Sequence, residues 1–317
     1  MHKEFAVDPN AVSSWERLLI LSNCVGFEKG RVVVGCPAKI QWYRSVLKNL
    51  TTTEDKTNKI VEKLAHLFFE KKAVVTKEMS GWDSDEEWLL NVIREDEKLK
   101  GGLCDGIVTK EADPDRPKVV GFDSLDNENP VWRCVPGKAP RTSESIVKAA
   151  RILLRYSSDI VLIDPYINPN RESYARPLRS LLDEIFSSSP RLKHDRHPVK
   201  RLECHISIHT DHSRSLCPDG VRSLYSDKFS RHIPAGHSLV IRRWRKGADK
   251  MHARYILTEL GGISYDHGLD EGDGTTDVQL MSEQLRRERW NDFVLNPTLN
   301  LADKEPIAIA GQRWGST

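Results

Sequence analysis

The sequence predicts an α/β fold in two parts: an N-terminal mixed α/β domain over 1–140, followed by an α/β sandwich domain over 141–317. Three observations predict it. Apolar runs of strand length alternate with stretches whose apolar residues recur at spacings of three and four. The run Asp159-Ile160-Val161-Leu162-Ile163 is almost continuously apolar, as in strands buried on both faces of a parallel sheet. Residues 123–130 and 136–140 lack periodicity and carry punctuating Pro and Gly, so the division falls near residue 140.

In the first part, 15–21 reads as a helix and 31–35 as a strand. Residues 40–50 and 57–70 read as helices, the second with Ile60, Leu64, Leu67 and Phe68 at helical spacing. A short strand at 73–75, a helix over 88–99 and strands at 105–109 and 118–122 complete it. In the second part a helix over 145–156 leads into the strand 159–163. A helix over 177–186 follows, with Pro177 in its first turn and Leu178, Leu181, Leu182, Ile185 and Phe186 on one face. Then come a strand at 202–210, a helix over 221–233 and a strand at 238–244. Strands at 253–257 and 263–265 are joined through Gly261-Gly262, and 278–290 closes as a charged helix. Right-handed crossovers connect such an order.

Composition limits the function. The chain has 317 residues, 38% hydrophobic and 30% charged, as in a soluble globular protein. No apolar stretch approaches the ~18 residues of a membrane span. The N-terminus lacks the apolar core of a signal peptide, so a cytoplasmic location is expected. A net charge of +2 excludes a strongly basic nucleic-acid binder by composition and leaves only a local footprint. None of the six cysteines forms a C-x-x-C pair, so zinc-ribbon and thioredoxin chemistry fall away and reduced thiols are expected.

The run Met251-His252-Ala253-Arg254-Tyr255-Ile256-Leu257-Thr258-Glu259, followed by Leu260-Gly261-Gly262, carries the chemistry. His252 and Arg254 share one face of a strand. Glu259 needs a turn to join them, which the glycines can supply. An imidazole nucleophile beside a fixed cation and an orienting acid suits attack on a phosphodiester.

His252-x-Arg254-x4-Glu259 with its glycines resembles the H-x-K-x4-D motif of the phospholipase D superfamily. Gly268-Leu269-Asp270 downstream also looks like the phospholipase-D-like C-terminal domain of MIT-domain proteins, and Asp164-Pro165-Tyr166 fits the same neighbourhood. The resemblance covers roughly 143–295. It implies that His252 forms a phosphohistidine, that Arg254 positions the phosphate oxygens and that Glu259 orients His252. It implies no metal and no cofactor. The family uses two motifs per site and this chain has one, so a homodimer with two His252 residues at a two-fold axis is expected. The MIT-domain relatives bind rather than cleave, so the alternative is an inactive module that binds nucleic acid, a phosphoinositide or a protein partner.

Further candidates surround the motif. His205 and His209 share a strand face, with Asp211 and His212 at its end, where ligands bind in open α/β sheets. His209 and His212 are candidate phosphate, proton-transfer or metal groups, whereas His205 alone reads as core. Residues 191–201 form a basic loop. Arg242, Arg243, Arg245 and Lys246, with Trp244 among them, lead toward His252 and could track a nucleic-acid backbone with the indole stacked on a base; a solvated strand end is the plainer alternative. Arg243, Arg245, Asp164, Tyr166 and Asp270 are thus candidate substrate contacts. Residues 270–277 lack the alternating acids of a calcium loop and read as a turn with a helix N-cap at Thr276 or Asp277. In the first part Asp83, Glu86, Asp105 and Asp123 could ligate a metal, though scattered carboxylates are ordinarily solvated. That domain is expected to select a substrate or protein partner. The expectation is a metal-independent nuclease of phospholipase D type, in a setting such as prokaryotic defence.

Overall fold

The computed structural model describes residues 2–50, 54–99, 101–134, 137–186, 199–208, 216–245, 254–296 and 301–312. It is an α/β protein whose two compact units divide after residue 135, slightly before the expected boundary. Residues 137–140 form a strand of the second unit's sheet, which is why the division moves.

The first unit is built on five strands: β1 (Lys3–Val7), β2 (Arg31–Val34), β3 (Val74–Val75), β4 (Gly106–Thr109) and β5 (Val119–Gly121). Their order is β3-β2-β1-β4-β5, and every neighbouring pair is parallel. Helices α1 (Trp15–Cys24), α2 (Lys39–Leu50), α3 (Glu54–Ala65) and α4 (Trp88–Lys98) lie between strands in sequence. The helix expected over 57–70 changes to a wider π turn at His66–Glu70. The central strand β1 was not among the expected elements. Yet Phe5, Ala6 and Val7 are all fully buried, and Phe5 packs on Trp132 with ring centroids 4.5 Å apart. Trp42 of α2 donates its indole N–H to the Val7 carbonyl at 2.6 Å, so this buried donor has a partner. The chain builds outward from β1 to β3 and then returns to β4 on the other side. The strand order therefore reverses between β1 and β4.

The second unit contains β6 (Gly137–Pro140), α5 (Ser143–Tyr156), β7 (Asp159–Ile163), α6 (Glu172–Phe186), β8 (Arg201–Ser207), α7 (Pro218–Phe229) and β9 (Ser238–Trp244). It continues with β10 (Tyr255–Thr258), β11 (Gly262–Tyr265), β12 (Thr275–Leu280), α8 (Glu283–Trp290) and β13 (Ile307–Ala310). Its eight-stranded sheet has the order β13-β9-β8-β7-β10-β11-β12-β6. Strands β7, β8 and β9 are parallel and the remaining pairs antiparallel.

Two expectations change here. Helix α6 begins at Glu172, so Pro177 lies inside it rather than in its first turn. Proline cannot donate to the Ser173 carbonyl. The Glu271 N–H takes that place at 2.7 Å, which satisfies the carbonyl. Residues 278–280 are strand, not helix, and α8 starts at Glu283 with Ser282 as its N-cap. Thr275, Asp277 and Gln279 are exposed while Thr276 and Val278 are buried, which is the strand period of two. The N-cap expected at Thr276 or Asp277 is thus replaced by pairing of β12 with β6 and β11. No described helix is long and apolar enough to cross a membrane. All six cysteines are free thiols.

Candidate functional site

Arg254 stands immediately before β10, which pairs antiparallel with β7, so Arg254 lies near the end of β7 where Asp164 follows Ile163. Its Nη1 donates to the Asp266 carbonyl at 2.7 Å, and its guanidinium sits 5.2 Å from the centroid of the Tyr166 ring. The turn after β7 is fixed by Asp164. Its Oδ1 accepts the Tyr166 N–H at 2.9 Å, and its Oδ2 accepts the Leu269 N–H at 2.8 Å. Gly268, with φ +106°, adopts a conformation that favours glycine. A β-carbon there would come within 2.6 Å of Asp164 Oδ2, 3.3 Å of Arg254 Cδ and 3.4 Å of Asp270 Oδ1. Asp270 also takes a hydrogen bond from Arg141 Nη2 at 2.7 Å. Asp164, Tyr166, Arg254 and Asp270, expected as one site, are therefore brought together.

Electrostatics differ around this group. Burial pushes the Asp164 carboxyl up to about 6, and Asp270 adds to the rise, against the two backbone hydrogen bonds and Arg254. Burial also raises the Tyr174 hydroxyl, with Asp164 and Asp270 acting in the same direction. Arg254 Nε and Asp270 Oδ1 are buried without a hydrogen-bond partner among the described residues. A polar depression of about 370 Å³ adjoins Arg254 and is lined also by Ser264, Asp266, Asp277 and Gln279.

Other expected residues are placed elsewhere. Glu259 lies beyond the far end of β10, and the four strand residues between it and Arg254 span roughly 13 Å. Both its oxygens are engaged: Oε1 accepts from Ser158 N at 2.7 Å and Ser158 Oγ at 3.0 Å, and Oε2 from Asp159 N at 3.0 Å. It pins the start of β7, and the acids beside Arg254 are Asp164 and Asp270 instead. Arg243 is 5% exposed and makes a bidentate pair with Asp303 at 2.6 Å, with a further bond to the Leu216 carbonyl, so its expected role as a substrate contact gives way to a structural one. Arg242 is paired with Glu203 at 2.6 Å. Trp244 is buried against His205 and Phe293, which removes it as a stacking surface. Arg245 is exposed. His252, His209, His212 and Asp211 lie outside the described residues, as does most of the basic loop 191–201.

His205 is a core histidine, as expected. Trp244 Nε1 donates to its Nδ1 at 3.2 Å, so the ring proton sits on Nε2 and is shared with Glu203 at 3.0 Å. Burial lowers its pKa and favours that neutral form. Burial pushes Glu203 up, but the hydrogen bonds from His205 and Arg242 outweigh it and hold the carboxyl at about 2.

The four acids weighed as metal ligands in the first unit are engaged separately. Asp83 accepts Asp85 N, Glu86 pairs with Arg94, Asp105 accepts Glu4 N and Asp123 pairs with Arg17. Among the described residues no cluster of three or more His, Cys, Asp or Glu is placed to hold a metal.

One feature was missed. At the carboxyl ends of β1 and β4, where strand order reverses, a cleft of about 630 Å³ is lined by residues that include Asp8, Glu87, Trp88, Thr109, Lys110 and Asp113. This is where open α/β sheets bind ligands. The available signal was Phe5-Ala6-Val7-Asp8-Pro9, an apolar strand run into Asp-Pro.

Compared with protein-family models, with curated proteins and with solved structures, the chain matches none.

Proposed function

We propose that the second unit is a metal-independent phosphodiesterase of phospholipase D type, acting on nucleic acid with His252 as nucleophile. One observation carries the reading. Residues far apart in the chain, Asp164, Tyr166, Gly268 and Asp270, converge on Arg254, two residues after His252. Arg254 offers a guanidinium to the phosphate oxygens in a fixed orientation, because Asp266 and the Tyr166 ring hold it. A ring nitrogen of His252 attacks phosphorus. The P–N bond forms as the P–O bond to the leaving group breaks, and a second histidine gives that oxygen its proton. Water, deprotonated by the same histidine, then cleaves the P–N bond. The second histidine is His252 of another copy, which makes the active form a homodimer.

A nuclease assay in EDTA tests this. Cleavage that persists in chelator and disappears in His252→Ala supports the reading. Strict metal dependence, or undiminished activity in the variant, rejects it.

Binding without turnover is a second reading, favoured by the two carboxylates that flank Arg254 and temper its charge. It predicts equal oligonucleotide affinity in wild type and His252→Ala, with no cleavage by either.

A further inference from the structure

We infer that Tyr166 is a stacking platform for an unpaired base, which makes single-stranded nucleic acid the substrate of the proposed site. The inference rests on the phosphodiesterase reading for its substrate, but its test separates the two.

Tyr166 is an exposed aromatic ring on a rigid turn, with 46% of its surface accessible. The turn is held by the Asp164 carboxylate through the Tyr166 N–H, and Ile167 next to it is buried. Burial does not account for the ring's position, since its neighbours Pro165 and Ile167 face inward while the ring stands out. One side of it meets the Arg254 guanidinium at 5.2 Å. A phosphate on Arg254 therefore has an aromatic face within one nucleotide's reach. Aromatic side chains hold successive bases in this way with little sequence preference, and a guanidinium plane beside the ring extends the surface.

The same geometry selects against a duplex. A base paired and stacked within a double helix cannot leave it to lie on Tyr166 without an unstacking cost of a few kcal/mol. Duplex binding ordinarily recovers affinity through a row of phosphate contacts. Here Arg242 and Arg243, the arginines that would extend such a row along β9, are paired with Glu203 and Asp303. At Arg254 the structure thus offers a phosphate contact with an adjoining ring. A lipid headgroup or a small diester uses the cation but has no base to stack.

The test measures binding of a fluorescein-labelled 12-mer oligothymidylate and of a matched hairpin duplex by anisotropy, in EDTA. His252→Ala serves as the parent so that no turnover intervenes. Adding Tyr166→Ala is expected to weaken single-strand binding about tenfold, and Tyr166→Phe to restore it, since the ring and not the hydroxyl makes the contact. The parent is expected to prefer the single strand. Equal binding of the two nucleic acids, or single-strand binding unmoved by Tyr166→Ala, overturns the inference. A loss that Tyr166→Phe fails to restore also overturns it, since a ring contact predicts rescue. The reading of the site fails on a different result: absence of His252-dependent cleavage of bis(p-nitrophenyl) phosphate or the oligonucleotide by the otherwise wild-type chain.

Discussion

Each unit carries an apolar strand that runs into Asp-Pro, and the two turns are built alike. Asp8 follows β1 and accepts the Asn10 N–H at 2.8 Å; Asp164 follows β7 and accepts the Tyr166 N–H at 2.9 Å. Burial raises both carboxyls above their ordinary range. What separates them is the company they keep. Asp8 opens onto a cleft whose lining includes Glu87, Glu111 and Asp113, with Lys110 its basic residue. Asp164 is 1% exposed, uses its second oxygen to hold Leu269, and lies beside Arg254. A shared local motif sets where chemistry is presented in an α/β sheet. The neighbouring strands decide which charge is presented there.

The cation is the difference, so removing it should have the largest effect. Arg254→Ala is expected to lower kcat on an oligonucleotide at least ~100-fold, as losing a transition-state donor does, while stability changes by less than about 1 kcal/mol. Arg243→Ala should do the reverse. It strands Asp303 beside a buried site and is expected to cost about 3 kcal/mol in urea unfolding of the second unit. If Arg243→Ala leaves stability intact and abolishes binding, the separation of a structural arginine from a functional one collapses.

The two aspartates give a finer test. Asp8→Ala removes a turn cap and should cost about 1 kcal/mol. Asp164→Ala removes acceptors from two backbone N–H groups but also removes a buried charge, for a net cost of about 2 kcal/mol near pH 7. Burial raises both carboxyls, so the cost of either substitution should grow as pH falls. Asp164 titrates at 3.8 ordinarily and at about 6 in the fold, so the folded state holds the extra proton between those values. Its contribution to stability is full below pH 4 and falls as pH rises through 6, by roughly 3 kcal/mol in all. The cost of Asp164→Ala should therefore grow as pH drops from 7 to 4. A cost that shrinks over that window would mean Asp164 is stabilised as the anion, with Arg254 dominating burial. Glu203 runs oppositely: held at about 2, it contributes stability above pH 4.5 that is lost as pH falls toward 2.

The smallest effect belongs to Arg245. Being exposed, its replacement by Ala should alter stability by less than about 0.5 kcal/mol and reduce the salt slope of oligonucleotide binding by about one charge. An unchanged slope would leave Arg245 out of phosphate recognition.

Much of this was legible in the sequence. The α/β class followed from alternating periods, and Asp164, Tyr166, Arg254 and Asp270 were named together from their motifs. Glu259 was misplaced because the glycines expected to bring it back to Arg254 follow it in the chain, while the strand's own rise carries it roughly 13 Å away. Its carboxylate caps the opposite end of the sheet. Arg242, Arg243 and Trp244 read as a basic, aromatic surface, but both faces of the strand are covered at its end, so Arg243 and Trp244 are buried alike. Their partners Asp303 and His205 lie 60 and 39 residues away, beyond any local pattern. Strand β1 was missed, and with it the reversal of strand order that creates the first unit's cleft.

The central claim is covalent chemistry at His252, and mass spectrometry of the quenched reaction tests it most directly. After incubation with bis(p-nitrophenyl) phosphate in EDTA and a rapid quench in base, a phosphoramidate adduct is expected on the peptide that carries His252. It should be lost on acid treatment and absent from His252→Ala. Steady turnover with no adduct, or an adduct that survives the substitution, would contradict the account.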